Sequence, residues 1–330
     1  MSFLNMELKS KKTLLVTGGL GYLGGRICES FIKIGFNVVI GTRKIDVKLP
    51  EELSRCTVVH TNFYNYKSLE KACKNIDVII HLAAMNANDC MKDPEKALLV
   101  NSLGTLNLLG AAKINKVRSF IYFSTVHVYG SPLLGNLNEK SLPKPTHDYS
   151  ITHHVAEEYV IRESGQGSMQ GIVLRISNAV GAPLMKETDC WRLVVNNLCK
   201  QVVINKQIKL LSEDSIVRDY LSISDICNAV MKITSSDDIL EDVKGEIINI
   251  TNGNSMTLRE VSNLIARRSK VVFGYYPEIK HGREDDRCSS QKLLISNKKA
   301  QDIGLALNSD LSIEIDELLI KSKKWFGVVS

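Results

Sequence analysis

The first half of the chain alternates short apolar runs with longer segments of mixed polarity. TLLVTG (13–18), FNVVIGT (36–42), CTVVH (56–60), DVIIHLAA (77–84), SFIYFSTV (119–126) and GIVLRIS (171–177) are each the length of a β-strand. Runs of this apolar kind predict strands covered on both faces. Helices are predicted near 21–35, 66–74 and 94–113. The last opens with Asp93 as N-cap and Pro94 at the first helical position. Buried strands alternating with helices predict an α/β fold built on a doubly wound parallel sheet.

The second half is more mixed. CWRLVVNNLCKQVV (190–203) predicts a helix, and IKLL and RDYLSI predict strands around a loop. TLREVSNLIARRS predicts a helix that starts with Thr257 and Glu260 in capping-box spacing. No internal repeat and no low-complexity linker appears. The division expected is a dinucleotide-binding domain over 1–178, with a returning segment near 219–252, and a smaller mixed α/β lobe for substrate, mainly over 179–330.

Composition adds few constraints. At 44% hydrophobic and 24% charged, the 330 residues suit one large domain or two modest ones. The net charge of +6 is spread out, and its densest cluster, KSKK at 9–12, reads as a solvated leader. Neither nucleic acid nor a membrane is expected as a partner. A bound anion such as a nucleotide fits the mild positive excess. The eight cysteines form no C-x-x-C pair, and no apolar run reaches the ~18 residues of a membrane span. With no long apolar segment near the N-terminus, a reduced, cytoplasmic chain is expected. No metal-ligand spacing is visible, so no metal is expected; His153 and His154 are adjacent and cannot share a helix face.

VTGGLGYLGG follows the first strand and opens the first helix. Gly18, Gly21 and Gly24 form G-x-x-G-x-x-G. Strand, glycine loop and helix in this order predict a Rossmann-type dinucleotide site: a tight turn, backbone N–H groups close to a pyrophosphate, and close helix–strand packing. About 20 residues on, an acidic residue would hold the ribose 2′-OH of NAD. Here the second strand ends in Thr42, Arg43 and Lys44. No carboxylate repels a 2′-phosphate and Arg43 can clamp one, so NADP(H) is favoured, with NAD(H) the alternative.

Another stretch carries candidate chemistry. In THDYSITHHVAEEYV (146–160), Tyr149 and His153 lie four apart and share one helix face. A tyrosine with a cation one turn along is an acid/base unit, but the usual cation is lysine.

These motifs together resemble the extended short-chain dehydrogenases/reductases, in particular their nucleotide-sugar epimerases, dehydratases and reductases. TGGLGYLG resembles the family's cofactor loop and HLAA (81–84) its fourth-strand motif. The resemblance implies cofactor contacts at Gly18, Gly21, Tyr22, Leu23, Gly24, Leu82, Ala83 and Ala84. NSLGTLNLLGAA (101–112) resembles the N-x-x-G-T-x-N-L-L helix, which puts Asn101 in the structural and active-site asparagine position. Asn62 stands where an aspartate near the adenine is usual. FSTVHVYG (123–130) resembles the catalytic strand, which makes Thr125 the catalytic Ser/Thr, preceded by Ser124 on the substrate side. Tyr149 takes the catalytic tyrosine's place, and His153 falls where lysine belongs. LRISNAVGAP, RDYLSISDI and GREDD resemble segments that hold the sugar-nucleotide diphosphate, implying substrate contacts from Asn178, Arg218 and Arg283. A homodimer is also implied.

The family's dehydratases carry Asp and Glu where this chain has Val126 and His127, so the acid/base pair for water elimination is missing. In the usual unit, lysine holds the nicotinamide ribose and its charge lowers the tyrosine pKa from ~10. Oxidation needs tyrosinate; reduction needs neutral tyrosine. Loss of a permanent cation therefore favours one-way reduction of a 4-keto group on a nucleotide-linked sugar. A nucleotide-sugar 4-epimerase with tightly bound NAD(P) is the alternative, and a non-catalytic nucleotide-binding relative the second.

Overall fold

A computed structural model of the protein describes residues 12–211, 213, 215–281 and 292–327. Its centre is a seven-stranded, all-parallel sheet. The strands are β1 (Thr13–Thr17), β2 (Asn37–Thr42), β3 (Thr57–His60), β4 (Val78–His81), β5 (Ser119–Thr125), β7 (Gln170–Ile176) and β11 (Ile247–Ile250), in the order β11-β7-β5-β4-β1-β2-β3. The chain reverses direction across the sheet after β3, next to β1, and the loop that leaves β1 lies at that switch point. Every residue of β5 and β7 is buried, which explains why these strands read as unbroken apolar runs.

Smaller sheets surround this one. β8 (Asn178–Val180), β10 (Val217–Ser222) and β12 (Ser255–Thr257) make a three-stranded sheet; β9 (Gln207–Lys209) pairs with β13 (Glu278–Lys280), and β6 (Gly135–Leu137) with β14 (Leu293–Ile295). IKLL and RDYLSI thus mark real strands, β9 and β10, but each pairs with a different partner rather than with the other.

The helices are α1 (Tyr22–Lys33), α2 (Tyr66–Ala72), α3 (Ala87–Lys92), α4 (Pro94–Ala97), α5 (Gly104–Ile114), α6 (Asp148–Gly165), α7 (Val194–Asn205), α8 (Ile223–Ser235), α9 (Asp237–Asp242), α10 (Leu258–Phe273), α11 (Lys298–Asp302) and α12 (Leu311–Phe326). One apolar layer joins α1 and α8 to one face of the large sheet. A second joins α2, α5 and α6 to the other. The C-terminal region closes a third core between α7, α10 and α12. Between residues 219 and 252, α8 and β11 belong to the large sheet and its cover, whereas β10 stays in the small sheet.

Local chemistry sets several boundaries. Asp93 accepts the Lys96 N–H and Pro94 follows it. Thr257 and Glu260 cap α10 reciprocally. α7 begins at Val194 rather than at Cys190, because residues 190–193 form a turn anchored by the Trp191 indole N–H on the Lys186 carbonyl. The stretch expected as one helix over 94–113 is continuous but widens into a π-turn at Leu98–Leu103. Helical over Pro94–Ile114, it is long and apolar enough to cross a membrane by length and composition; here its inner residues pack in the core beside α2 and α6. The seven described cysteines are buried free thiols. Lys9 and Lys11, Cys288 and the GREDD segment lie outside the described residues.

Candidate active site

The loop after β1 is built by glycine. Gly18 has φ +72°, and a Cβ there would stand 3.0 Å from the Ala83 nitrogen. A Cβ on Gly24 would lie 2.2 Å from the Gly18 carbonyl oxygen, so only glycine lets α1 start this close to the strand. Gly21 N-caps α1 without any side-chain hydrogen bond, and the first turn carries no acidic residue. Free N–H groups and the positive end of the helix dipole therefore face the cleft.

That cleft has a volume of about 640 Å³ and runs from the glycine loop to the C-terminal lobe. Of the residues expected in a site, Gly18, Gly21, Tyr22, Leu23, Gly24, Leu82, Ala84, Ser124, Thr125, Tyr149, His153, Asn178 and Arg218 line it. The described lining holds no carboxylate, but it does hold Arg192, Arg218, His127, His147 and His153. Such a wall suits an anionic ligand. Free helix-terminal N–H groups and a loop that no side chain fills fit a dinucleotide's pyrophosphate.

Several residues expected to make contacts have polar atoms that already hold partners within the protein. The Tyr22 hydroxyl donates toward the Gly181 carbonyl at 2.9 Å and reaches Asn196 Oδ1 at 3.2 Å, tying α1 to the C-terminal region. Asn62 Oδ1, expected to accept from adenine, caps the Tyr64 N–H at 3.0 Å. Asn101 sits in the π-turn, buried; its Oδ1 accepts the Met85 N–H at 2.7 Å and its Nδ2 donates to Thr152 Oγ1 at 3.0 Å. It ties the exit of β4 to α6 and does not line the cleft. Ser124 borders the cleft, and its hydroxyl donates to buried Glu157 at 2.5 Å. The Asn178 amide nitrogen donates to the Asp219 carbonyl at 2.9 Å, joining β8 to β10. Ala83 packs behind Gly18. Thr42 Oγ1 accepts the Lys44 N–H at the end of β2, and Arg43 is exposed beside it. Arg283 lies outside the described residues.

The acid/base centre lies where the C-terminal end of β5 meets the first turns of α6. His147 caps α6: its Nδ1 accepts the Ser150 N–H and the Ser150 hydroxyl returns to the cap. Its ring stacks on Tyr149 at 6.2 Å and stands edge-on to His127 at 5.8 Å. Thr125, whose Oγ1 accepts the His127 N–H at 3.2 Å, lines the cleft with Tyr149. Burial, aided by Cys90, pushes the Tyr149 pKa up to about 12 against the opposing effect of Thr125. Burial also pushes His127 down to about 4, helped by His147 and the Arg218 charge.

His153 departs furthest from expectation. It is only 3% exposed, and burial pushes its pKa down to about 4 although the Glu157 charge acts the other way. Near neutral pH it carries no charge and cannot replace lysine's. His154 does not supply one to the cleft either: it turns to Glu157, with Nδ1 3.4 Å from the carboxylate. Sequence reasoning missed Arg192, His147 and the buried Glu157–Arg175 pair. Arg192 precedes α7 in the turn, where no motif marks it. His147 reads as a loop residue until its capping role is known.

The NAD dependent epimerase/dehydratase family profile matches residues 14–251. The chain belongs to this family, within the extended short-chain dehydrogenases/reductases acting on nucleotide sugars. It is 25% identical over 327 residues to the UDP-glucose 4-epimerase of Rhizobium leguminosarum bv. trifolii, covering 91% of this chain and 94% of that one. To the dTDP-D-glucose 4,6-dehydratase of Dictyostelium discoideum it is 31% identical over 273 residues, 76% of this chain and 59% of the relative. The solved structure of an epimerase from Methanothermobacter thermautotrophicus superposes with a TM-score of 0.78 at 25% identity, covering 96% of this chain and 92% of that one.

Below the acid/base centre, the Arg175 guanidinium on β7 grips Glu157 of α6 with two bonds, Nε at 3.0 Å and Nη2 at 2.7 Å. Both side chains are buried. Burial works to raise the Glu157 pKa, but hydrogen bonds from His154, Arg175 and Ser124 outweigh it and hold the carboxyl below its ordinary value. Glu157→Ala leaves a buried, unpaired guanidinium and should lower the unfolding free energy by about 3–5 kcal/mol, read by urea denaturation. Because the folded-state pKa is the lower one, the contribution is complete above the ordinary 4.5 and is lost as pH falls further.

Proposed function

We propose that the chain is an NADP(H)-dependent oxidoreductase that reduces a keto group, most simply the 4-keto group, on a nucleotide-linked sugar. The observation that carries this reading is the Tyr149 ring packed 4.4 Å from the His153 ring on the cleft wall, where burial disfavours charge on both. The nicotinamide ring supplies the hydride when bound. Tyr149 donates its phenolic proton to the carbonyl oxygen as that oxygen gains charge, and Thr125 orients the same oxygen. The glycine loop and the α1 N-terminus would hold the pyrophosphate. Arg218 and Arg192 line the cleft and would hold the diphosphate of the sugar nucleotide, because guanidinium forks match phosphate oxygens. The homodimer implied by the resemblance is part of this proposal.

A 4-epimerase is the second reading, favoured by the UDP-glucose 4-epimerase relative. It must run oxidation as well, which needs tyrosinate, a form scarcely populated here at neutral pH. Dehydration is disfavoured despite the dehydratase relative. Buried Val126 and uncharged His127 stand at the carboxylate positions, so no acid/base pair is at hand for water loss.

Screening keto and hydroxyl sugar nucleotides for cofactor-linked turnover tests the reading. A reductase exchanges its cofactor during turnover, whereas purified protein that retains and recycles NAD(P) would be an epimerase. Tyr149→Phe should cost about 10²–10⁴ in rate, and Thr125→Val less; intact turnover in Tyr149→Phe would misplace the site. NADPH should bind more tightly than NADH. Arg43→Ala should remove most of that preference, at about 1.5–3 kcal/mol. Equal affinities in the unmutated protein would sink the NADP(H) assignment.

A further inference from the structure

We propose that Tyr122 is a positioning residue: it locks His153 in the neutral tautomer that carries its hydrogen on Nε2, and so offers an uncharged N–H donor to an acceptor on the ligand of the cleft. The proposal rests on the reading of the cleft as a dinucleotide site.

The argument starts behind the cleft. Tyr122 points from β5 into the helical layer and is 2% exposed. Its hydroxyl lies 2.7 Å from His153 Nδ1, its one hydrogen-bond partner among the described residues. Two arrangements satisfy that distance. If Nδ1 carried the hydrogen, the phenol oxygen would accept it and the phenol's own O–H would be buried without an acceptor. If the phenol donates, Nδ1 accepts through its lone pair and every polar group behind the ring is satisfied. Buried donors left unpaired are costly, so the second arrangement prevails. Burial and the Glu157 charge keep the proton on the phenol by raising its pKa.

A neutral imidazole whose Nδ1 accepts must carry its hydrogen on Nε2. That atom is buried and has no partner in the protein, while His153 lines the cleft. The polar groups around the ring do not take the hydrogen. Tyr149, one turn earlier, packs as a ring at a centroid distance of 4.4 Å and 62°. Glu157, one turn later, is occupied by Arg175, Ser124 and His154. His81, across β4, stands behind Tyr122 with both ring nitrogens on Thr17 and Thr105. An unsatisfied buried donor on a residue that lines a cleft is a place for a ligand acceptor. Lysine would bring three hydrogens and a charge to the same helix position. Histidine brings one hydrogen, and its direction depends on the tautomer.

The test begins with ¹⁵N-histidine-labelled protein without cofactor, followed by long-range ¹H–¹⁵N spectra from pH 6 to 8. His153 is expected as the Nε2–H form throughout, with Nδ1 showing the shift of an unprotonated ring nitrogen. In Tyr122→Phe, checked for folding by its thermal melt, the signal should move toward a mixture of tautomers. Cofactor fluorescence titration should show binding about 3- to 10-fold weaker, the worth of one neutral hydrogen bond. His153→Gln presents an amide N–H without needing a phenol behind it. In that background, adding Tyr122→Phe should change cofactor affinity by less than about 2-fold, because the coupling between the two positions is gone. A native His153 protonated on Nδ1, or Tyr122→Phe with unchanged tautomer and unchanged affinity, would overturn the proposal. Native protein that shows the predicted tautomer yet binds neither NADH nor NADPH would overturn the dinucleotide reading and the cofactor contact with it, while leaving the tautomer assignment standing.

Discussion

The bidentate ion pair between Glu157 and Arg175 fixes the position of α6 on the large sheet, and the chemistry of the cleft depends on it. Arg175 comes from β7 and Ser124 from β5, so one carboxylate joins a helix to two adjacent strands. A charged pair is expensive to bury, and here both of its members are also hydrogen-bonded or stacked: the guanidinium covers the Tyr129 ring at 4.7 Å. Holding this turn of the helix holds the turn before it, where His153 meets Tyr122, and the turn before that, where Tyr149 stacks on His147. Asn101 and Thr152 provide a second tie from the opposite side.

The ties have a chemical consequence. They leave His153 and Tyr149 in a setting that disfavours charge on either. In relatives with lysine at this position, a permanent cation lies beside the tyrosine. In this chain the same helix face offers two neutral groups, each suited to donate a hydrogen and neither suited to take one near neutral pH. One departure from the family pattern thus changes which protonation state the site holds while the glycine loop and the arginines of the cleft stay in place.

Much of the fold was legible in the sequence for a plain reason. A parallel sheet covered on both faces needs strands that are apolar throughout, so β1, β2, β4, β5 and β7 announce themselves, and the glycine spacing marks the turn between β1 and α1. The strands of three residues, such as β6, β8 and β12, are too short to carry a period. α6 is hidden from an apolar pattern because its inner face buries Ser150, Thr152, His153, Glu157 and Ser164. The site was legible as a set of residue types, but not in what their atoms do. Ser124, Asn62, Asn101 and Tyr22 are polar residues near the right place whose hydrogen bonds go to the protein itself. The neutrality of His153 follows from burial, which sequence spacing does not reveal.

The central claim is that burial keeps the proton on Tyr149 and that no cation stands beside it to oppose burial. The most direct measurement is the titration of ¹³C-labelled tyrosine, with Tyr149 assigned by comparison with Tyr149→Phe, in the native protein and in His153→Lys. The account predicts that native Tyr149 stays protonated through pH 10 and that His153→Lys titrates at least about one unit lower, as expected for a cation placed within a few ångströms. A native Tyr149 that already loses its proton near pH 7, or that titrates unchanged in His153→Lys, would contradict it.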